Sequence, residues 1–183
     1  MRTILAAAAL ALATSAAAAG RLTLTSTDVK PNGTLADAQV FDGMGCTGAN
    51  LSPELAWKDP PAGTRSFVVT VYDPDAPTGS GWWHWVVYDV PASARELPRG
   101  AGSGQGQLPE GAKEGRTDFG KPGFGGACPP PGDKPHRYVF TVYALKVDRL
   151  DVPQDASPAM IGFMTRANAL GSASITARYA RKK

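Results

Sequence analysis

Three stretches of the chain are apolar on successive positions and rich in β-branched and aromatic residues: Ser66-Phe-Val-Val-Thr-Val-Tyr72, Trp83-His-Trp-Val-Val-Tyr-Asp-Val90 and His136-Arg-Tyr-Val-Phe-Thr-Val-Tyr-Ala-Leu145. Strands apolar on both faces predict the middle of a layered sheet, where each face is covered. Turn chemistry punctuates them, with Asp73-Pro74 after the first and Pro91 after the second. Arg21–Ser26 alternates and predicts an opening strand; Ser172–Tyr179 alternates and predicts a last one. One helical pattern stands between, with Met160, Ile161, Met164, Ala167 and Leu170 at helical spacing. Ser157 can cap that helix, Pro158 suits its first turn and Gly171 can end it. The fold class this predicts is mainly β.

Composition sharpens the picture. Twenty-one glycines and 16 prolines among 183 residues favour strands and turns over a helical bundle. Residues 92–126 have little periodicity and many glycines; loops that long are functional or disordered, but the end beginning at Thr117 reads as ordered. The first 19 residues carry Arg2, a short apolar run and small residues up to Ala19. That is the pattern of a secretory signal peptide, too short for a membrane anchor, with no second hydrophobic segment after it. The expected division is a signal peptide over 1–19 and one domain over 20–183, placed in the periplasm or secreted. Cys46 and Cys128 in an exported chain predict a disulfide, with two separate buried thiols as the alternative. A net charge of +3 is no footprint for nucleic acid, and Arg181-Lys182-Lys183 reads as a solvated tail.

The candidate chemistry lies at strand ends. The chain has two histidines, His84 and His136, each at the start of a central strand, while Asp73 and Asp75 follow the end of a third. An antiparallel arrangement brings that end beside the two starts. A few polar groups among tryptophans then form the mouth of a small-molecule pocket. Metal binding lacks a compact ligand spacing, and a serine hydrolase lacks its Gly-x-Ser-x-Gly turn. Asp73 and His84 in acid–base catalysis, as in a phosphoester hydrolase, stay open as an alternative. The remaining reading is an anion site, in which carboxylates keep imidazoles protonated and glycine-rich backbone offers N–H donors.

The stretches "NLSPELAW" (50–57), "VYDPDAPTGSGWWHWVVYDVP" (71–91), "TDFGKPGFGGACPPPGDKPHRYVFTVYAL" (117–145) and "GSASITARY" (171–179) resemble the phosphatidylethanolamine-binding proteins, and more closely their bacterial Raf-kinase-inhibitor-like branch. The resemblance implies a β-sandwich with a few short peripheral helices and one pocket for phosphate-like or phosphoethanolamine-like groups. It places the motif carboxylates on Asp73 and Asp75, the pocket tryptophan on Trp82 and the strand histidine on His84. The glycine-rich lip falls on Gly125 and Gly126, its proline on Pro129, the second histidine on His136 and the pocket tyrosine on Tyr138. A Cys46–Cys128 bridge would tie two loops beside that pocket. The implied partners are a small anionic ligand or a phospholipid headgroup. No cofactor, metal or enzymatic activity is implied, and a surface inhibitor of a kinase or protease is the alternative from another class. An exported chain would not meet a cytosolic kinase, so the branch's name transfers no kinase inhibition.

Overall fold

The computed structural model describes residues 21–183, so the expected signal peptide and its cleavage point lie outside the described residues. The chain runs through β1 (Thr23–Thr25), β2 (Asp42–Gly43), β3 (Cys46–Thr47), β4 (Leu55–Lys58), β5 (Ser66–Asp73), β6 (Trp82–Pro91), β7 (Glu96–Leu97), β8 (Lys113–Glu114), β9 (His136–Leu145), α1 (Pro158–Asn168) and β10 (Ala169–Tyr179). A five-stranded sheet has the order β10-β9-β5-β6-β8 and a three-stranded sheet the order β1-β4-β7. Phe67, Val69, Val71, Trp85, Phe140 and Val142 of the larger sheet share one core with Leu24, Leu55, Trp57 and Leu97 of the smaller. That makes a sandwich, with the inward side chains of both sheets filling the space between layers. The other face of the large sheet buries Val68, Val86 and Tyr88 against Ile161 of α1 and Leu150. Both faces of β5, β6 and β9 are therefore covered, which is why these strands lack a polar alternation.

β5 pairs antiparallel with both β6 and β9. The end of β5 thus lies beside the starts of the other two, as the strand-end argument requires.

Two expectations change. The helix stops at Asn168, and Ala169 already pairs with Leu145 in β10. Pairing with a ten-residue neighbour outweighs one more helical turn. Leu170 is therefore an exposed strand residue, and Gly171 sits at a register shift rather than at a helix end. Among the described residues there is a single α-helix, with two one-turn 3₁₀ segments at Asp37–Gln39 and Ala101–Ser103. No helix among the described residues is long and apolar enough to cross a membrane.

Candidate functional site

A cavity of ≈ 150 Å³ opens at the strand ends on the inner side of the large sheet. Asp73 enters it from the end of β5, Trp82 and His84 from the start of β6, and His136 and Tyr138 from the start of β9. Period-two alternation along β9 carries His136 and Tyr138 to the same face as Phe140 and Val142. His84 is aimed differently. Val71 pairs with Trp85, but the next residue, Tyr72, pairs with Trp83, leaving His84 as the extra residue of a β-bulge. The bulge sends Trp83 to the helix-covered face and Trp85 to the core, and turns His84 into the cavity.

Both buried polar clusters are anchored by partners within the protein. Asp73 Oδ2 lies 2.8 Å from His136 Nδ1, and its Oδ1 accepts from the Asp75 amide at 2.8 Å. His136 Nε2 faces Asp133 Oδ2 at 3.4 Å. His84 Nδ1 lies 2.7 Å from the carbonyl oxygen of Gly125. A carbonyl only accepts, so Nδ1 carries the proton and Nε2 is left as the acceptor of the neutral ring. Burial pushes the His84 pKa below the usual histidine value, outweighing its backbone partners and the Asp73 carboxylate. The expectation that carboxylates keep both imidazoles cationic therefore fails for His84: it is held by a carbonyl and is desolvated.

The lip is built of backbone. The Gly125 amide donates to the His84 carbonyl at 2.9 Å, and the Gly126 amide donates to Asn50 Oδ1 at 2.7 Å. These amides are committed inside the protein, so Gly125 and Gly126 support His84 from behind rather than offering free N–H groups to an anion. A Cβ on Gly126 would overlap the backbone of Gln39 and Val40, and only glycine allows that approach. The Cys46–Cys128 bridge joins the lip to the β2–β3 turn, with the Cα atoms 6.0 Å apart. Cys128 and Pro129 line the cavity opposite Trp82.

Asp75 is not in the cavity. Pro74 turns the chain, and Asp75 forms a two-pronged ion pair with Arg137 on the outside, with N–O distances of 2.9 and 2.7 Å. That guanidinium holds the Asp75 carboxyl down to about 2.

Sequence reasoning missed three contributors. Phe119 packs its ring 5.4 Å from Trp82 and 5.5 Å from His84. It stands in the stretch read as ordered, which was the available signal. Met44 reaches the mouth from a turn between two glycines. Arg181 is no solvated tail: its Nε donates to the Pro129 carbonyl at 2.6 Å and its Nη1 to the Gly45 carbonyl at 2.9 Å. It thereby clamps the residues flanking both half-cystines.

One polar atom in the cavity wall stands apart. The Tyr138 hydroxyl is buried, the Cys128 amide faces its oxygen, and its own proton has no acceptor. Burial, then the Asp73 carboxylate, pushes its pKa upward, so it is a neutral donor at any ordinary pH.

The family model described as phosphatidylethanolamine-binding protein matches residues 25–180. The chain is 56% identical over 158 residues to the UPF0098 protein YbhB of Escherichia coli, covering 86% of this chain and 99% of that one. It is 50% identical over 180 residues to the UPF0098 protein YbcL of the same organism, covering 98% of each. The crystal structure of YbcL, described as a new member of the mammalian PEBP family, superposes with a TM-score of 0.86 and 52% identity. That superposition covers 89% of this chain and all of the solved one. A buried cavity at antiparallel strand ends and a match over most of the chain agree: the protein belongs to the phosphatidylethanolamine-binding protein family.

Proposed function

We propose that the protein is an exported binding module whose cavity takes a phosphate-like group, either free or as a phosphoethanolamine-type headgroup. The observation that carries this reading is the Tyr138 hydroxyl. A buried donor without a partner costs about 1–3 kcal/mol, and a ligand oxygen in the cavity would recover it. The size of the cavity supports a small group: drug-sized sites span roughly 300–1,000 Å³, about two or more times this volume. Trp82 and Phe119 give the apolar wall against which the rest of a headgroup would lie.

Binding rather than turnover is favoured by the way the polar groups are spent. The hydrolase alternative needs Asp73 and His84 as a pair, whereas Asp73 holds His136 and His84 faces a carbonyl. The alanine-rich leader read in the sequence and the Cys46–Cys128 bridge support export.

Protein-observed NMR with inorganic phosphate and O-phosphoethanolamine tests the site. Saturable shifts at His84 and Tyr138 are expected. Shifts confined to other surfaces, or none, would remove the reading. Mass spectrometry of the exported protein should give a start near Gly20, and recovery of the intact Met1 form from the periplasm would sink the export half.

A further inference from the structure

Resting on the anion reading above, we propose that this cavity binds an anion only together with one proton, held between His84 Nε2 and the nearest ligand oxygen. The site would thus select ligands that carry an acidic hydrogen, or would take the proton from solvent.

The geometry leaves little choice. The Gly125 carbonyl fixes the His84 proton on Nδ1, so the nitrogen left for the cavity is a lone pair. An anionic oxygen placed there meets a lone pair with a lone pair. The compensating charge must come from somewhere, and no lysine or arginine lines the cavity among the described residues. The Asp73 carboxylate lines the cavity and repels an anion. The glycine-rich lip cannot make up the difference, because the Gly125 and Gly126 amides already donate to His84 and Asn50. Tyr138 supplies one neutral donor. An unprotonated dianion would therefore enter a site whose uncommitted side-chain donors, the Tyr138 hydroxyl and the Trp82 indole N–H, are both neutral, beside a carboxylate and a lone pair.

A proton on Nε2 changes that balance. It makes the ring an imidazolium with donors on both nitrogens, one to the Gly125 carbonyl and one to the ligand. The proton comes either from water or from the hydroxyl of a phosphate monoanion, and no other bond is made or broken. Every group facing His84 fits this part. Asp73 from β5 and Asp118 from the segment after β8 favour the cation, whereas burial opposes it. The rings of Phe119 and of Tyr138 from β9 cross the imidazole at steep angles, with centroids 5.5 and 5.1 Å from its own, and bring no charge. His136 faces Asp73 and Asp133, and so is committed away from the ligand. An anion at Nε2 is the missing partner that would tip the ring to its protonated form.

Calorimetry separates this inference from the reading it rests on. Sulfate, which carries no acidic hydrogen near neutrality, and O-phosphoethanolamine are titrated at about pH 6, 7 and 8, each in two buffers of different ionisation heat. The expected result for sulfate is uptake of close to one proton per anion above about pH 7, with affinity falling about tenfold per pH unit. His84→Gln, checked for folding by its melting curve, should lose both the proton uptake and the slope. The ring nitrogen signal of His84 Nε2 should move from the acceptor to the protonated position on saturation, a readout that needs no variant. Tight binding with no proton uptake and a flat pH profile overturns the inference and leaves the anion site standing. Uptake retained in His84→Gln overturns His84 as the carrier. Failure of both anions to bind at about pH 6 overturns the anion site and this inference together.

Discussion

Asp73 and Asp75 are separated by one proline, yet they sit in opposite worlds. Asp73 is buried, with a side-chain exposure of 4%, and holds His136, itself 4% exposed. Asp75 is 31% exposed and holds Arg137, which is 47% exposed. The two partners are adjacent residues of β9, and adjacent residues of a strand face opposite sides of the sheet. The same turn therefore places two carboxylates back to back, Asp73 on His136 in the cavity and Asp75 on Arg137 in solvent. Asp73 even braces its neighbour, accepting the Asp75 amide with the oxygen that His136 leaves free. Residue type and spacing do not distinguish the two carboxylates; the direction of the partner does. The comparison teaches that a motif can be half site and half scaffold.

The comparison breaks hardest on the inner pair. Asp73→Ala leaves His136 buried without its main partner and the Asp75 amide without its acceptor. Each buried donor left without an acceptor costs about 1–3 kcal/mol, and here two lose theirs. We expect that loss in urea unfolding near neutral pH, with anion binding abolished. A cost under about 1 kcal/mol would mean that the inner pair is no tighter than the outer one.

Arg181, which fixes the lip, is the next test. Its two bonds to the Pro129 and Gly45 carbonyls are made by a charged donor, a class worth about 1.5–3 kcal/mol. Arg181→Ala should lose stability in that range and speed reduction of the Cys46–Cys128 bridge, measured by thiol labelling. Asp75, outside the lip, should keep its pairing with Arg137. Unchanged stability and an unchanged reduction rate would return the C-terminus to the status of a free tail.

How far the sequence carried this picture follows from the same geometry. β5, β6 and β9 were legible because burial on both faces leaves an apolar run no local turn can mimic. The convergence of Asp73, His84 and His136 was legible because it needs only antiparallel order. Asp75 was misplaced because Pro74 reverses the alternation that a strand would have kept. The electrical state of His84 was illegible for a different reason: it depends on a bulge and on the carbonyl of Gly125, 41 residues away. Arg181 was hidden likewise, since a basic terminus carries no pattern that says what it will meet.

A subtler change sharpens the contrast by touching only the inner side. Tyr138→Phe removes a hydroxyl whose proton has no acceptor within the protein. Stability without ligand should be unchanged or rise slightly. Anion affinity should fall by about 1 kcal/mol, the worth of one neutral hydrogen bond. A clear loss of stability with affinity intact would show that the hydroxyl serves the fold instead of the ligand.

The smallest effect belongs to the outer pair, and its pH dependence gives the sign. Arg137 bonds first, then its charge, hold the Asp75 carboxyl at about 2, below the 3.8 of an unperturbed aspartate. A carboxyl with a depressed folded pKa adds stability that is complete above the unfolded value. That stability is lost as pH falls through the folded one. The window is therefore between about pH 4 and pH 2. Both side chains reach solvent, so screening and side-chain entropy hold the contribution below about 1 kcal/mol near neutral pH. Asp75→Asn should cost no more than that at pH 7 and close to nothing near pH 2, and it should leave anion affinity within about twofold at every pH. Urea unfolding at the two pH values, with calorimetry alongside, decides it. Loss of anion binding in Asp75→Asn would erase the division between the two carboxylates and put Asp75 back into the site, with Arg137 as the cation that the cavity otherwise lacks.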